Sequence, residues 1–249
     1  MLGIECNQQW LYLALTCEDK VVGSAQVSRE MDGYTHSVLL APDGPPQLLE
    51  QIEQQLCDIM VKELTEGIEG TGVRATVIGE IGTSKDITET EAKVFRAASR
   101  AHAETGAPIC THTTLGTRGL EQLEIFKSFG VDLSRVVLSH IDLSADLDYM
   151  KRLLDQGVNI AFDTIGKCNY QPDVSRADWL SRLCAEGYDT QIVMSMDITR
   201  RSNFADRGGV GYSYLLDTFA PLASEAGVPD RAWENLLYRN ALRIYKGQK

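Results

Sequence analysis

From residue 46 onward the apolar positions of this chain keep a regular rhythm. Leu48, Ile52, Leu56, Ile59, Met60 and Leu64 recur at helical spacing, and "GIEGTGVRA" then interrupts with three glycines before the continuous apolar run "ATVIGE". Thr88 and Glu91 stand at capping-box spacing ahead of an apolar face of Val94, Phe95, Ala98, Ala101 and His102, which Gly106 closes. The pattern then repeats. "APICTH", "RVVLSH", "VNIAFD" and "QIVMSMD" read as short strands, and "GLEQLEIFKSFG", "ADLDYMKRLLDQG" and "SRADWLSRLCAEG" as the amphipathic helices between them. Strand and helix alternate with no interposed hairpin, which predicts a parallel sheet with right-handed crossovers; the strands are apolar on both faces because both faces are to be covered.

The first 45 residues differ. "LGIECNQQWLYLALTCEDKVVGSAQVS" alternates as two strands joined through Glu18, Asp19 and Lys20, a β-hairpin and not a βα unit. The expected organisation is therefore an atypical N-terminal segment, residues 1–45, followed by a repeating α/β portion, residues 46–249.

The chemistry lies where the strands stop. Glu80, His112, His140, Asp163 and Asp197 each end one of five consecutive strands, at separations near the ~30 residues of one βα unit. In a (β/α)8 TIM barrel all such ends lie on one rim, where these enzymes carry their active sites. Histidines and carboxylates gathered there suit zinc or a related divalent ion. For any one histidine the plainer reading is a hydrogen-bonded core imidazole, and for any one carboxylate a cap or ion pair. Five in succession point to a site.

Composition narrows the partners. With 24 basic against 35 acidic residues the formal charge is −11, so nucleic acid and anionic membranes would be repelled, and Arg200-Arg201 is too short a basic patch to reverse this. No apolar run reaches the ~20 residues of a membrane helix, and "MLGIECNQQW" carries neither a basic leader nor a long apolar segment. The six cysteines lack Cys-x-x-Cys spacing, which fits reduced thiols of a cytoplasmic protein.

"MVKELTEGIEGTGVRATVIGEIGTS", "PICTHTT", "VVLSHIDL", "FDTIGK", "MSMDITRRS" and "GGVGYSYLL", in order over residues 46–249, resemble the phosphotriesterase-related branch of the amidohydrolase superfamily. The resemblance implies a metal-dependent hydrolase on a (β/α)8 barrel, with activated water attacking an ester, lactone, amide or phosphoester bond. It implies that Glu80 bridges two metals, that His112 and His140 bind the more exposed one, and that Asp197 binds the more buried one and accepts the proton of the attacking water. Asp163 and Lys167 in "FDTIGK" fall where the family shapes its substrate pocket, although a solvated loop lysine is an equal reading. Arg200 and Arg201 would hold an anionic substrate group or form ion pairs.

Two departures stand against that pattern. The family's first-strand His-x-His pair has no counterpart among His36, His102, His112 and His140. With Glu80 on the fourth strand, about 90 residues should precede Pro46, and about 45 do. The barrel is thus expected to be incomplete at its N-terminus, with about five recognisable βα units, open sheet edges and association into a homo-oligomer. Ligand counting gives one ion at Glu80, His112 and His140 with an open position for water, and a second only with further ligands. The alternative to an active hydrolase is a family remnant acting through association. The N-terminal hairpin also faintly resembles that of actin-like ATPase folds, but no glycine-rich phosphate loop follows it.

Overall fold

The computed structural model describes residues 2–6, 10–17, 20–28 and 46–246, and the chain divides into two compact units, Met1–Gln55 and Leu56–Lys249. In the first, β1 (Leu2–Cys6), β2 (Trp10–Cys17) and β3 (Lys20–Ser28) form an antiparallel sheet in that order. The β2–β3 pair runs from Trp10 opposite Ser28 to Cys17 opposite Lys20, and β1 adds a third strand that the alternation had merged with β2. Residues 7–9 contain neither Gly nor Pro, so Asn7 and the polar run it opens are the only marks of a break there. Residues 18 and 19 of the expected turn lie outside the described residues. Helix α1 (Pro46–Thr65) follows, with Pro46 at the first position, where a missing N–H costs nothing.

In the second unit five parallel strands lie in sequence order: β4 (Ile78–Thr83), β5 (Ile109–Thr113), β6 (Val136–Leu138), β7 (Asn159–Phe162) and β8 (Ile192–Met194). Helices α2 (Glu89–Thr105), α3 (Gly119–Ser128), α4 (Leu147–Leu154) and α5 (Asp173–Ala185) connect them. These are five strands of a (β/α)8-type barrel, and among the described residues β4 and β8 each pair with one strand only. The α2 capping box is made: Thr88 Oγ1 accepts from Glu91 N, Glu91 Oε2 accepts from Thr88 N at 2.7 Å, and Gly106 closes the helix in the left-handed conformation.

The two faces of this sheet carry different layers. Ile109, Leu138, Ile160, Phe162 and Ile192 belong to a large core with Phe95, Phe126, Met150, Leu153 and Leu180 of the helices, where the Phe95 and Phe126 rings stand 5.3 Å apart. Alternate positions Cys110, Val137, Ala161 and Val193 form a small second cluster around Ile244. Ile244 comes from the C-terminal helices. A π-helical turn (Leu215–Phe219) runs into α6 (Ala220–Glu225), and α7 (Asp230–Glu234) continues through a second such turn (Asn235–Arg239) into α8 (Asn240–Lys246). On α8, the Arg243 guanidinium donates to Ser134 O at 3.1 Å, Thr190 O at 3.0 Å and Asn159 Oδ1 at 2.6 Å. This clamps α8 across the entry ends of β6, β7 and β8 and leaves the exit ends for chemistry. No helix among the described residues is long and apolar enough to cross a membrane.

Candidate metal centre

The strand carrying Glu80 does not stop there, as the apolar run predicts, but continues to Thr83 through a bulge. Ile78 pairs with Ile109 and Ile81 with Thr111, so Gly79 and Glu80 together oppose Cys110. The extra residue breaks the alternation and re-aims the carboxylate. Gly79 makes this possible: its φ is +136°, and a Cβ there would lie 2.2 Å from the Cys110 carbonyl oxygen. His112 is the fourth residue of β5, and Gly82 beside it leaves the imidazole its room. His140 follows β6 with φ 63°, and Asp197 lies three residues beyond β8 with φ 45°. Two of the five strand-exit residues thus hold left-handed backbones, an arrangement that costs ~1–3 kcal/mol each and gathers at functional sites.

Glu80, His112 and His140 offer ligand atoms that all lie within 4.8 Å of one another. Glu80 Oε1 stands 3.6 Å from His140 Nε2 and 4.0 Å from His112 Nδ1, and the two rings meet edge to face at 4.8 Å. Donors around a tetrahedral zinc at ~2.0–2.1 Å would be about 3.3 Å apart, so a small closure brings this set into range.

Asp163 is buried directly after β7, and its Oδ1 accepts from both the backbone N and the Nδ1 of His140 at 2.9 Å. That fixes the tautomer and leaves Nε2 facing Glu80. Burial alone would lower the His140 pKa; the Asp163 hydrogen bond and charge, with Glu80 and Asp197 behind them, overcome this and raise it to about 9. The Asp163 carboxyl is itself pushed up, chiefly by desolvation. His112 goes the other way, lowered by burial and by the neighbouring His140. Both effects favour the neutral imidazole, the form that ligates a metal. Burial drives the Cys110 thiol up to about 11, so in the metal-free protein it stays protonated.

Asp197 stands outside the three-residue set. Its Oδ2 is in contact with Lys167 Nζ, whose side chain is only 18% exposed, so Lys167 is not a solvated loop lysine. Arg200 and Arg201 are exposed. His102 is spent elsewhere, its Nδ1 on Ala107 O at 2.7 Å and its Nε2 accepting from Asp132 N; His36 lies outside the described residues.

A buried network behind the rim escaped the sequence reading. Arg176, fully buried on α5, donates to Asp142 Oδ2 at 2.6 Å, Asp173 Oδ1 at 2.8 Å and Thr164 Oγ1 at 2.7 Å, while Thr164 also donates to Asp142. Asp142 lies two residues after His140 and Thr164 one after Asp163, so one guanidinium ties together the loops leaving β6 and β7. Asp173 also receives Gly166 N and the Tyr214 hydroxyl. The available signal was the polar residue just beyond each strand end in "SHIDL" and "FDTIGK".

Comparison with known proteins gives this geometry its place. The family model described as the Phosphotriesterase family matches residues 26–245. The chain is 43% identical over 203 residues to the phosphotriesterase homology protein of Escherichia coli, covering 81% of this chain and 70% of that one. Its identity to the N-acetyltaurine hydrolase of Dictyostelium discoideum is 33% over 204 residues, or 77% of this chain and 55% of the relative. The crystal structure of the Escherichia coli protein, complexed with phosphate in its active site, superposes with a TM-score of 0.76 over 81% of this chain. A lactonase from Listeria monocytogenes gives 0.75 at 31% identity, with 81% of this chain and 63% of that one covered. By sequence and by fold, the chain belongs to the phosphotriesterase family.

Proposed function

We propose that this chain is a metal-dependent hydrolase, with Glu80, His112 and His140 holding a divalent ion, most simply zinc. The convergence of those three side chains within 4.8 Å carries the reading. Two neutral-capable imidazoles and a carboxylate leave a fourth position open, as catalytic zinc sites do. When bound, such an ion lowers the pKa of a water and polarises the oxygen of a scissile group.

The chain's own residues supply the rest. Asp163 holds His140 so that Nε2 faces the centre, a backing worth ~10–100-fold in metal affinity in comparable sites. Asp197, at the exit of β8, accepts the proton of the attacking water and Lys167 holds it in place. Arg200 and Arg201 are exposed on the same loop and offer fixed positive charge to an anionic part of a substrate. The substrate is a small molecule with an ester, lactone, amide or phosphoester bond. The relatives named as a lactonase and an N-acetyltaurine hydrolase put carbonyl substrates first for screening. The chain spans little more than half the length of that second relative, so its competence for turnover is part of the proposal.

The test is elemental analysis of protein purified without chelator, wild type beside His112→Ala, followed by an ester and lactone screen. About one zinc per chain, lost in the variant, with hydrolysis that follows the metal, is the expected result. Well-folded wild-type protein that takes up no zinc would leave a family remnant acting, if at all, through association.

A further inference from the structure

The contact between Lys167 and Asp197 bears on how many ions the centre takes. Asp197 is not among the carboxylates and imidazoles that converge. Its Oδ2 already faces an ammonium whose side chain is 18% exposed. Lys167 does not reach it by chance. Its amide donates to Thr164 O at 3.0 Å, Gly166 N is held by both oxygens of Asp173 at 3.2 Å, and Asp173 is anchored in turn by Arg176 and the Tyr214 hydroxyl. Gly166 itself, at φ 85°, has Tyr214 and Val210 where its Cβ would be, so the loop has little freedom to carry Lys167 away.

Charge counting gives the consequence. With both imidazoles deprotonated, as metal ligation requires, Glu80, Asp163 and Asp197 bring three negative charges to the centre and Lys167 one positive. The remainder of two is what a single divalent ion neutralises. A second would leave the interior of the site net positive and would have to displace the ammonium from Asp197, with no further histidine to receive it among the described residues.

We infer that the Lys167 ammonium stands as a built-in cation against Asp197, so that the centre holds one ion and Asp197 is a positioned proton acceptor and not a ligand. The inference rests on the metal-centre reading above, and the experiment separates the two.

Zinc alone is titrated into the whole chain with a competing chromophoric chelator, giving stoichiometry and affinity without any turnover assay. Wild type, Lys167→Met, Lys167→Arg and the double variant Lys167→Met/Asp197→Asn are compared, each checked for folding by thermal melting. The wild type is expected to bind one zinc, and Lys167→Arg to behave like it. Lys167→Met, which loses a repelling charge and frees a carboxylate, should bind zinc about tenfold more tightly. The double variant, neutral at both positions, should keep wild-type affinity within about threefold, because no ligand has been removed. A wild type that takes two ions, or a double variant that loses its zinc as His112→Ala does, overturns the inference while leaving the metal centre standing. A wild type that binds none overturns both.

Discussion

Replacing Asp163 by Asn in the metal-free protein isolates the most strongly coupled pair of the site. Asn keeps an oxygen for the His140 amide and removes the charge. In the wild type the His140 pKa lies at about 9 against an ordinary 6.5, a difference worth about 3 kcal/mol between the two protonation states. The His140 side chain is 10% exposed, so solvent screening removes little of this. The folded-state value is the higher one; the stabilisation is therefore complete below pH 6.5 and is lost as the pH rises through about 9. Asp163 acts in the opposite sense, because its carboxyl is raised by burial and its ionised form is costly wherever His140 is neutral. Asp163→Asn is accordingly expected to destabilise chelator-treated protein by roughly 2–3 kcal/mol at pH 6 and by under about 1 kcal/mol at pH 9.5. Urea unfolding of both proteins at the two pH values measures it. An equal cost at both would show that Asp163 and His140 are not exchanging charge for stability, and the account of how His140 is oriented would fail with it.

Arg176→Met strands Asp142 and Asp173 without their guanidinium in a fully buried setting, and should cost ~3–5 kcal/mol in chemical unfolding; a loss under about 1 kcal/mol would mean that the network is not the clamp described. Gly79→Ala places a Cβ against the Cys110 carbonyl and should cost on the order of 3 kcal/mol, lowering the melting temperature by roughly 10 °C; unchanged melting would refute the bulge geometry. Since β4 and β8 each have one strand partner among the described residues, light scattering is expected to find a dimer or larger species, and a monodisperse, highly stable monomer would count against association.

Much of the second unit could be read from the residues. The strands β5 to β8 are short and apolar with amphipathic helices between them, and the α2 cap is visible as Thr88 and Glu91 because capping is a local interaction. Strand exits share a rim whatever the loops do, which placed Glu80, His112 and His140 together with Asp163 and Asp197, and the family resemblance singled out the first three as one ligand set. What was not legible depends on pairing between distant residues. Nothing in the run "ATVIGE" was read as a bulge, and only the register against β5 shows that two residues face one there. Asp163 was expected at the pocket wall; that its carboxylate is occupied by His140 follows from the left-handed turn at His140, which no local pattern announces. Lys167 and Asp197 are 30 residues apart, and Arg176 reaches Asp142 across 34, so neither contact could be deduced from spacing. The split between β1 and β2 was missed for a plainer reason: neither Gly nor Pro stands between them, and Asn7 alone is a weak mark.

The clamp made by α8 also sets an order of events during synthesis. Ser134, which precedes β6, and Arg243, which secures it, are separated by 109 residues. At the ~5–20 residues per second of a ribosome, Ser134 leaves the tunnel about 5–20 s before its guanidinium partner. For that interval Val137 and Ala161 lack the Ile244 side chain that later covers them. The nascent chain therefore holds the rim that carries Glu80, His112 and His140 above a floor that stays unsealed until α8 has been made.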